Sequence, residues 1–305
     1  MLIASHAIHA TLPAPFIPAG WQQVVDSSFG TSNITAIASE GSDTFIAVGS
    51  SGKIARSTNN GLNWVQTPSP FSGSNIFSVA YGDGIYIAGG SAGKLATSVD
   101  GTNWVLRDST FGAGAILGLT YAPSANIWIA VGASGRLATS LDGIDWVQRT
   151  SSFGTTFITS VYASPTLIIA VGYDGKLATS LNGITWTQRA SSFVNSTIYD
   201  VTSTPSGTEY VAVGDSGKIA TSVNGTAWTQ IFPTSSFGAS SIRGVSATAD
   251  TYVAVGSAGR IGTAVAPTSW AQRVSTFGLD SVNGIYVEEG LSIAVGNNGK
   301  IAYSV

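Results

Sequence analysis

The chain of 305 residues contains no cysteine, and its one methionine is Met1. Disulfides, thiolate metal sites and a methionine-rich contact surface are therefore excluded. Charged residues make up only 10% of the sequence, and the net charge is −3. Such sparse charge argues against a nucleic-acid binder, whose affinity rests on many cations neutralising phosphates. No stretch approaches the roughly 20 consecutive apolar residues of a membrane-spanning helix. The start of the chain lacks a basic segment, and His6 and His9 interrupt its apolar run, so no signal peptide is expected. That histidine pair has no third ligand nearby, so no metal and no cofactor are expected. The four glutamates, Glu40, Glu209, Glu288 and Glu289, fall at loop-like positions and supply a paired-carboxylate glycosidase site poorly. The Gly-x-x-Gly pairs lie between strands rather than before a helix, which excludes a phosphate loop. No catalytic residue is nominated.

What is abundant is glycine, 37 residues, within a sequence that is 44% hydrophobic. That composition is written as one repeat. AVGSSGKIA from Ala47 returns as AGGSAGKLA from Ala88, AVGASGRLA from Ala130 and AVGYDGKLA from Ala170. It continues as AVGDSGKIA from Ala212, AVGSAGRIG from Ala254 and AVGNNGKIA from Ala294. Tryptophans keep the same register: Trp21, Trp64, Trp104, Trp146, Trp186, Trp228 and Trp270, spaced by 43, 40, 42, 40, 42 and 42. So do Phe29, Phe71, Phe111, Phe153, Phe193, Phe237 and Phe277. A period near 42 is the size of a four-stranded propeller blade. Each unit reads as strand A (Ile-x-x-Val), strand B (Tyr-x-Ala-Val-Gly), strand C (Gly-Lys-Ile-Ala-Thr-Ser) and strand D (Trp-x-Gln-Arg). No window shows a sustained helical period.

The expected fold is thus all-β, a seven-bladed β-propeller over residues 21–305. The chain ends just after the last strand C, so the strand at Trp21 is expected to complete the last blade and close the ring. Residues 1–20 carry no charge and include Pro13, Pro15 and Pro18, which predicts an extended apolar arm. Tryptophan, phenylalanine and the strand B aromatics, Trp128 among them, are expected to pack between blades. Strand A carries a small third residue near the axis: Ala36, Ser78, Gly118, Ser160, Gly244 and Gly284, with Asp200 the exception.

The turns before tryptophan, such as SVDGTNW and SLDGIDW, resemble the Asp-box of sialidase-type propellers, a folding element in that family. The sialidase arginine triad and Arg-Ile-Pro motif are absent, so no enzyme is expected. The order Ile-x-x-Val, AVGxxGxI and T-x-DG-x-x-W resembles the propeller of the photosystem II assembly and stability factor family across residues 21–305. That resemblance implies an assembly factor for a membrane protein complex. Similar blades occur in phage tail and particle proteins and in bacterial surface proteins.

Cations are locked to the repeat. Lys53, Lys94, Arg136, Lys176, Lys218, Arg260 and Lys300 share one slot at the B–C turns. Arg107, Arg149, Arg189 and Arg273 share a second slot, three residues after tryptophan. The first set forms a basic ring on one face, opposite the Asn/Asp turns. It is the candidate site for an acidic glycan or another polyanion, with turn capping as the alternative reading. Asp200 and Arg243 lie on strand A one blade apart, in reach of a pair. The arm residues Leu2, Ile3, Ile8, Leu12, Phe16 and Ile17 are expected to dock on other virion or assembly subunits. The leading expectation is a non-enzymatic phage-type virion or attachment protein made in a host cytoplasm, binding a host glycan. The alternatives are a soluble or secreted (extracellular) propeller lectin and a membrane-complex assembly factor. No nucleic-acid partner and no membrane insertion are expected.

Overall fold

The computed structural model describes residues 16–18, 20–231 and 236–305. Among these residues, 28 strands form seven four-stranded antiparallel sheets. Blade I has strands A to D at Ile34–Ser39, Phe45–Gly49, Ile54–Ser57 and Val65–Thr67. Blades II to VI repeat this order from strand A at Ile76–Gly82, Ile116–Ala122, Ile158–Ala163, Ile198–Ser203 and Ile242–Ala247. Blade VII takes Val282–Glu288, Leu291–Gly296 and Ile301–Ser304, and its outer strand is Gln22–Gln23 from the other end of the chain. Gln22 pairs with Tyr303 and Gln23 with Ala302, and the Val24 amide donates to the Ile301 carbonyl at 2.9 Å.

The core lies between blades, not within them. Phe29, Phe45 and Trp64 pack with Leu291, Ile293 and Val295 of the neighbouring blade, and each joint repeats the pattern. The seven repeated phenylalanines are 0 or 1% exposed. Burial of each ring contributes about 2 to 3 kcal/mol. Each phenylalanine is also fixed by its loop. The Ser27 hydroxyl donates to the Gly299 carbonyl, and the Phe29 amide donates back to that hydroxyl at 3.3 Å. Ser109, Ser151, Ser191 and Ser275 bond in the same way to Gly93, Gly135, Gly175 and Gly259. The phenylalanine marker is thus a hook by which the D–A loop grips the turn it has just left.

The two glycines of the B–C turn are there for different reasons. A Cβ on the first, Gly132, would stand 2.0 Å from the Ala115 carbonyl oxygen. The second needs left-handed backbone, as at Gly135 with φ +65°. The residue before it is left-handed too, although it is never glycine: Ser51, Ala92, Ser134, Asp174, Ser216, Ala258 and Asn298 have φ between 54° and 57°. Alanine is held there against about 1 to 2 kcal/mol of steric cost. Ala92→Gly is expected to raise unfolding free energy in urea by about 0.5 to 1 kcal/mol, the relief of strain less the added entropy of glycine. A loss of stability would contradict the assignment of strain.

The C–D turns are closed by their own side chains. Asp100 accepts from the Thr102 and Asn103 amides, both at 2.8 Å, and Trp104 Nε1 donates to the Gly101 carbonyl at 3.1 Å. Those amides hold the Asp100 carboxyl far below the usual carboxylate range, and the amides of Asp145 and Ile144 do the same for Asp142. In blade VII this turn is divided between the chain ends. Pro18 stands three residues before Trp21, as Pro267 does before Trp270 and Gly61 before Trp64. Pro18 is buried, and the Phe16 carbonyl accepts from Thr251 Oγ1 at 2.7 Å. The described end of the arm therefore lies on blade VI, the neighbour of blade VII, much as Gly61 lies on Ile293 of the blade before its own. Ile17 is 37% exposed there. Leu2, Ile3, Ile8 and Leu12 lie outside the described residues.

Candidate functional site

One irregularity recurs in all seven blades. Pairing of strand A with strand B slips between its first and third residues: between Ile34 and Ala36, Ile76 and Ser78, Ile116 and Gly118, and likewise round the ring. The second residue is left out of the ladder as a β-bulge. Bulges of this kind re-aim a side chain away from the sheet. The bulged residues are Thr35, Phe77, Leu117, Thr159, Tyr199, Arg243 and Asn283. All seven line a single concavity of 520 Å³ at the mouth of the central channel, with Asn33, Ser50, Tyr173 and Asn297 around them. Ser50, Tyr173 and Asn297 open their B–C turns, so this mouth lies on the B–C turn face.

The mouth is chemically uneven. Thr35 Oγ1 bridges the Val48 carbonyl at 3.0 Å and the Ile76 carbonyl of the next blade at 2.7 Å. Thr159 repeats this with Val171 and Ile198. Asn283 Nδ2 donates to the Ile34 carbonyl at 2.8 Å and to Asn297 at 2.9 Å. Those three residues stiffen the rim. Phe77, Leu117 and Tyr199 supply apolar surface, and Phe157 stacks on Tyr173 with centroids 5.4 Å apart and 19° between planes. Burial and a hydrogen bond to Asp215 push the Tyr199 phenol up to about 12. Arg243 is the one cation of the lining, exposed, with Nε on Ser257 Oγ at 3.3 Å and no carboxylate in ion-pair range among the described residues.

Arg243 and Asp200 do not pair. The Asp200 carboxylate is half-buried in the channel wall, where Oδ1 accepts from Ser160 Oγ at 2.8 Å and the Val201 amide at 2.9 Å. Its Oδ2 accepts from the Val245 amide at 3.0 Å, so one carboxylate ties blades IV, V and VI. The bulge separates the two groups: position three of strand A faces the channel wall, and position two is thrown out to the mouth.

The cation ring is engaged in the loops. Lys53 Nζ donates to the Phe29 carbonyl at 2.7 Å, Lys94 to Phe71 at 2.7 Å, and Lys176 to Phe153 at 2.8 Å. Lys218 donates to Phe193 at 3.3 Å and Lys300 to Phe277 at 2.9 Å, with Asp280 also 2.9 Å from Lys300. Arg260 Nη1 donates to the Ser236 carbonyl at 2.9 Å, and the Arg136 guanidinium lies against the loop at Gly112 and Gly114. Each cation completes the joint that enters its own blade. The bulge slot was missed because it is the slot that does not repeat. Its signal in the sequence is the residue after the first isoleucine or valine of strand A, which reads Thr, Phe, Leu, Thr, Tyr, Arg, Asn within otherwise uniform blades. Among the described residues no group of three or more His, Asp or Glu side chains stands ready to hold a metal ion.

No family model matches the sequence, and no curated protein does. Solved structures do. YCF48 bound to D1 peptide superposes with a TM-score of 0.75 at 16% identity, over 97% of this chain and 99% of that one. YCF48 from Cyanidioschyzon merolae gives 0.71 at 17%, over 94% and 98%. Virginiamycin B lyase from Staphylococcus aureus gives 0.81 at 12%, over 94% and 99%. Proteins of different activity thus share this architecture, and at these identities the likeness establishes the fold: the chain is a seven-bladed β-propeller.

Proposed function

We propose that the chain is a non-enzymatic interaction propeller that takes up a segment of a partner protein at the mouth of its central channel. The observation that carries this reading is the bulge slot. The third position of strand A, at the channel wall, is small in six of the seven blades, whereas the seven residues lifted to the mouth are of six kinds, most of them large. Side chains retained for folding repeat with the fold, and those that read a ligand need not. Aromatic and aliphatic surface beside an unpaired guanidinium and amides suits a peptide segment.

The comparisons lend support. The YCF48 structure holds a D1 peptide, so a propeller of this build accommodates a protein segment. A histidine-to-alanine variant of virginiamycin B lyase, solved with quinupristin, is described as catalytically inactive. Residues 21–305 of this chain contain no histidine, which favours binding over that chemistry. An assembly-factor role is one form of partner binding. A glycan-binding ring draws no support from cations that are spent on loop carbonyls, and a virion role rests on arm residues of which 1–15 lie outside the described residues.

The test is selection of a random peptide library on the immobilised protein. Enriched peptides are expected to bind Phe77→Ser/Tyr199→Ser/Arg243→Ser at least about tenfold more weakly, as for loss of a central anchor cluster. All three residues sit on bulges outside the ladder, so the melting temperature should fall little. Equal binding by the folded triple variant would overturn the proposal.

A further inference from the structure

A second constellation lies on the outer rim. Arg107, Arg149, Arg189 and Arg273 on strand D each donate from Nε to a threonine of strand C: Thr97 at 3.0 Å, Thr139 at 2.9 Å, Thr179 at 3.0 Å and Thr263 at 2.7 Å. The four threonines are 1 to 6% exposed. None of these guanidiniums makes an ion pair among the described residues, and their Nη groups are left open. Blade I has the same pair inverted. Arg56 stands on strand C at the threonine slot, and Thr67 on strand D at the arginine slot. The inversion breaks the bond: Arg56 Nε and Thr67 Oγ1 are both buried without a partner, with Thr67 only 7% exposed.

Arg56 and Thr67 are among the residues lining a groove of 280 Å³, with Val65 and Pro68 beside the polar Asn59, Asn63 and Gln66. The equivalent groove of blade III, 410 Å³, runs from Arg149 past Leu141 and Val147 to Ile184 of the next blade, with the turn aspartates Asp142 and Asp145 also in its lining. In blade IV it measures 400 Å³, with Arg189, Leu167 and Leu181. The aliphatic walls are left in water: Leu141 is 69% exposed and Leu181 76%. If the pair served to tie strand D to strand C, the inverted copy would have kept the bond. What blades I, III and IV keep is a guanidinium beside a groove.

We propose that the outer grooves of blades I, III and IV are binding subsites for a carboxylate on a short aliphatic stem. The open Nη edge of the arginine matches a carboxylate in geometry and charge. The stem covers the exposed leucine and valine side chains. A free branched-chain acid and the terminal residue of a peptide share this chemistry. The proposal is independent of the channel-mouth reading, because the two sites have no residue in common.

The test titrates the full chain with 4-methylpentanoate, with N-acetyl-leucine and with 4-methylpentanamide, following the arginine Nε–Hε signals by NMR. The acids are expected to move the signals of Arg56, Arg149 and Arg189, and the uncharged amide to bind at least about tenfold more weakly. Arg56→Gln/Arg149→Gln/Arg189→Gln should lose the acid to the same extent. Tighter binding of N-acetyl-leucine would identify a chain terminus as the source, and tighter binding of the simple acid a free metabolite; either supports the site. Equal binding of acid and amide, or arginine signals that stay still at saturating acid, would overturn it. The wild-type titration decides the matter even if the triple variant does not fold.

Discussion

Gly132→Ala is expected to cost about 4 kcal/mol or more of unfolding free energy, in the range reserved for defects that backbone movement alone can relieve. The added Cβ would sit 2.0 Å from the Ala115 carbonyl oxygen and 3.0 Å from its carbon. Neither is the free end of a flexible side chain. That carbonyl already accepts the Ala133 amide at 2.9 Å, and Ile116 is paired with Gly132 across the bulge. Room for a methyl group therefore comes only by opening the ladder at the point where the bulge is formed. Domains of this kind hold about 5 to 15 kcal/mol in total, so the variant should express poorly or melt far below the parent. Gly154→Ala supplies the control. Its φ is +61° and nothing lies within 4 Å of its Cβ, so only left-handed strain of about 1 kcal/mol is added. A Gly132→Ala melt within about 1.5 kcal/mol of the parent would refute the close-approach account, because the clash would then relax at the cost of an ordinary mutation.

The same turn shows how far the sequence can be read. The glycine pair, the tryptophan and the phenylalanine each answer to one contact made once per blade: a backbone approach, an indole–turn hydrogen bond, a buried ring hooked by serine. Such requirements repeat with the blade, so seven blades and their strand order were legible. The cation slot repeats too, and its repetition alone does not separate a polyanion-binding ring from turn capping; the structure shows these side chains against the loops of their joints. Repetition marks what the fold needs. The binding mouth was illegible to a search for repeats, since Thr35, Phe77, Tyr199 and Arg243 have nothing in common but a bulge. A bulge is set by strand pairing and not by the residue that occupies it. Arg56 likewise falls in neither of the two repeated cation slots. Only the cross-strand register shows it to be the inverted partner of Thr67. Asp200 was recognised as the exception at its slot, but its partners are amides and a serine of three blades rather than the arginine two residues' reach away in the next blade.

Asp200 leads to the second large effect, which runs opposite to the usual acid lability of carboxylates. Its side chain is half-buried in the channel wall, and desolvation there pushes the carboxyl from the ordinary 3.8 up to about 6, against the pull of the Val245, Ser160 and Val201 bonds. Between those two values the folded chain holds a proton that the unfolded chain has released. Stability contributed by this group is thus present in full below pH 4 and falls as pH rises through 6. At about 1.4 kcal/mol per pH unit, the loss is on the order of 3 kcal/mol. Asp100 and Asp142 act in the reverse sense, since turn amides hold their carboxyls low; they favour the fold above pH 4 and cease to do so in acid. The melting temperature should accordingly peak near pH 4, decline between pH 4 and 6 and level off above that. Serine is tolerated at this slot in blades II and IV, as Ser78 and Ser160. Asp200→Ser should flatten the decline between pH 4 and 6 even if it lowers stability at pH 4 through the lost tie to Val245. His6 and His9 are the other groups that titrate in this range, so the comparison is made in a His6→Gln/His9→Gln background. A decline that persists unchanged in Asp200→Ser would place its origin elsewhere and would mean that the channel carboxylate is ionised at no cost to the ring.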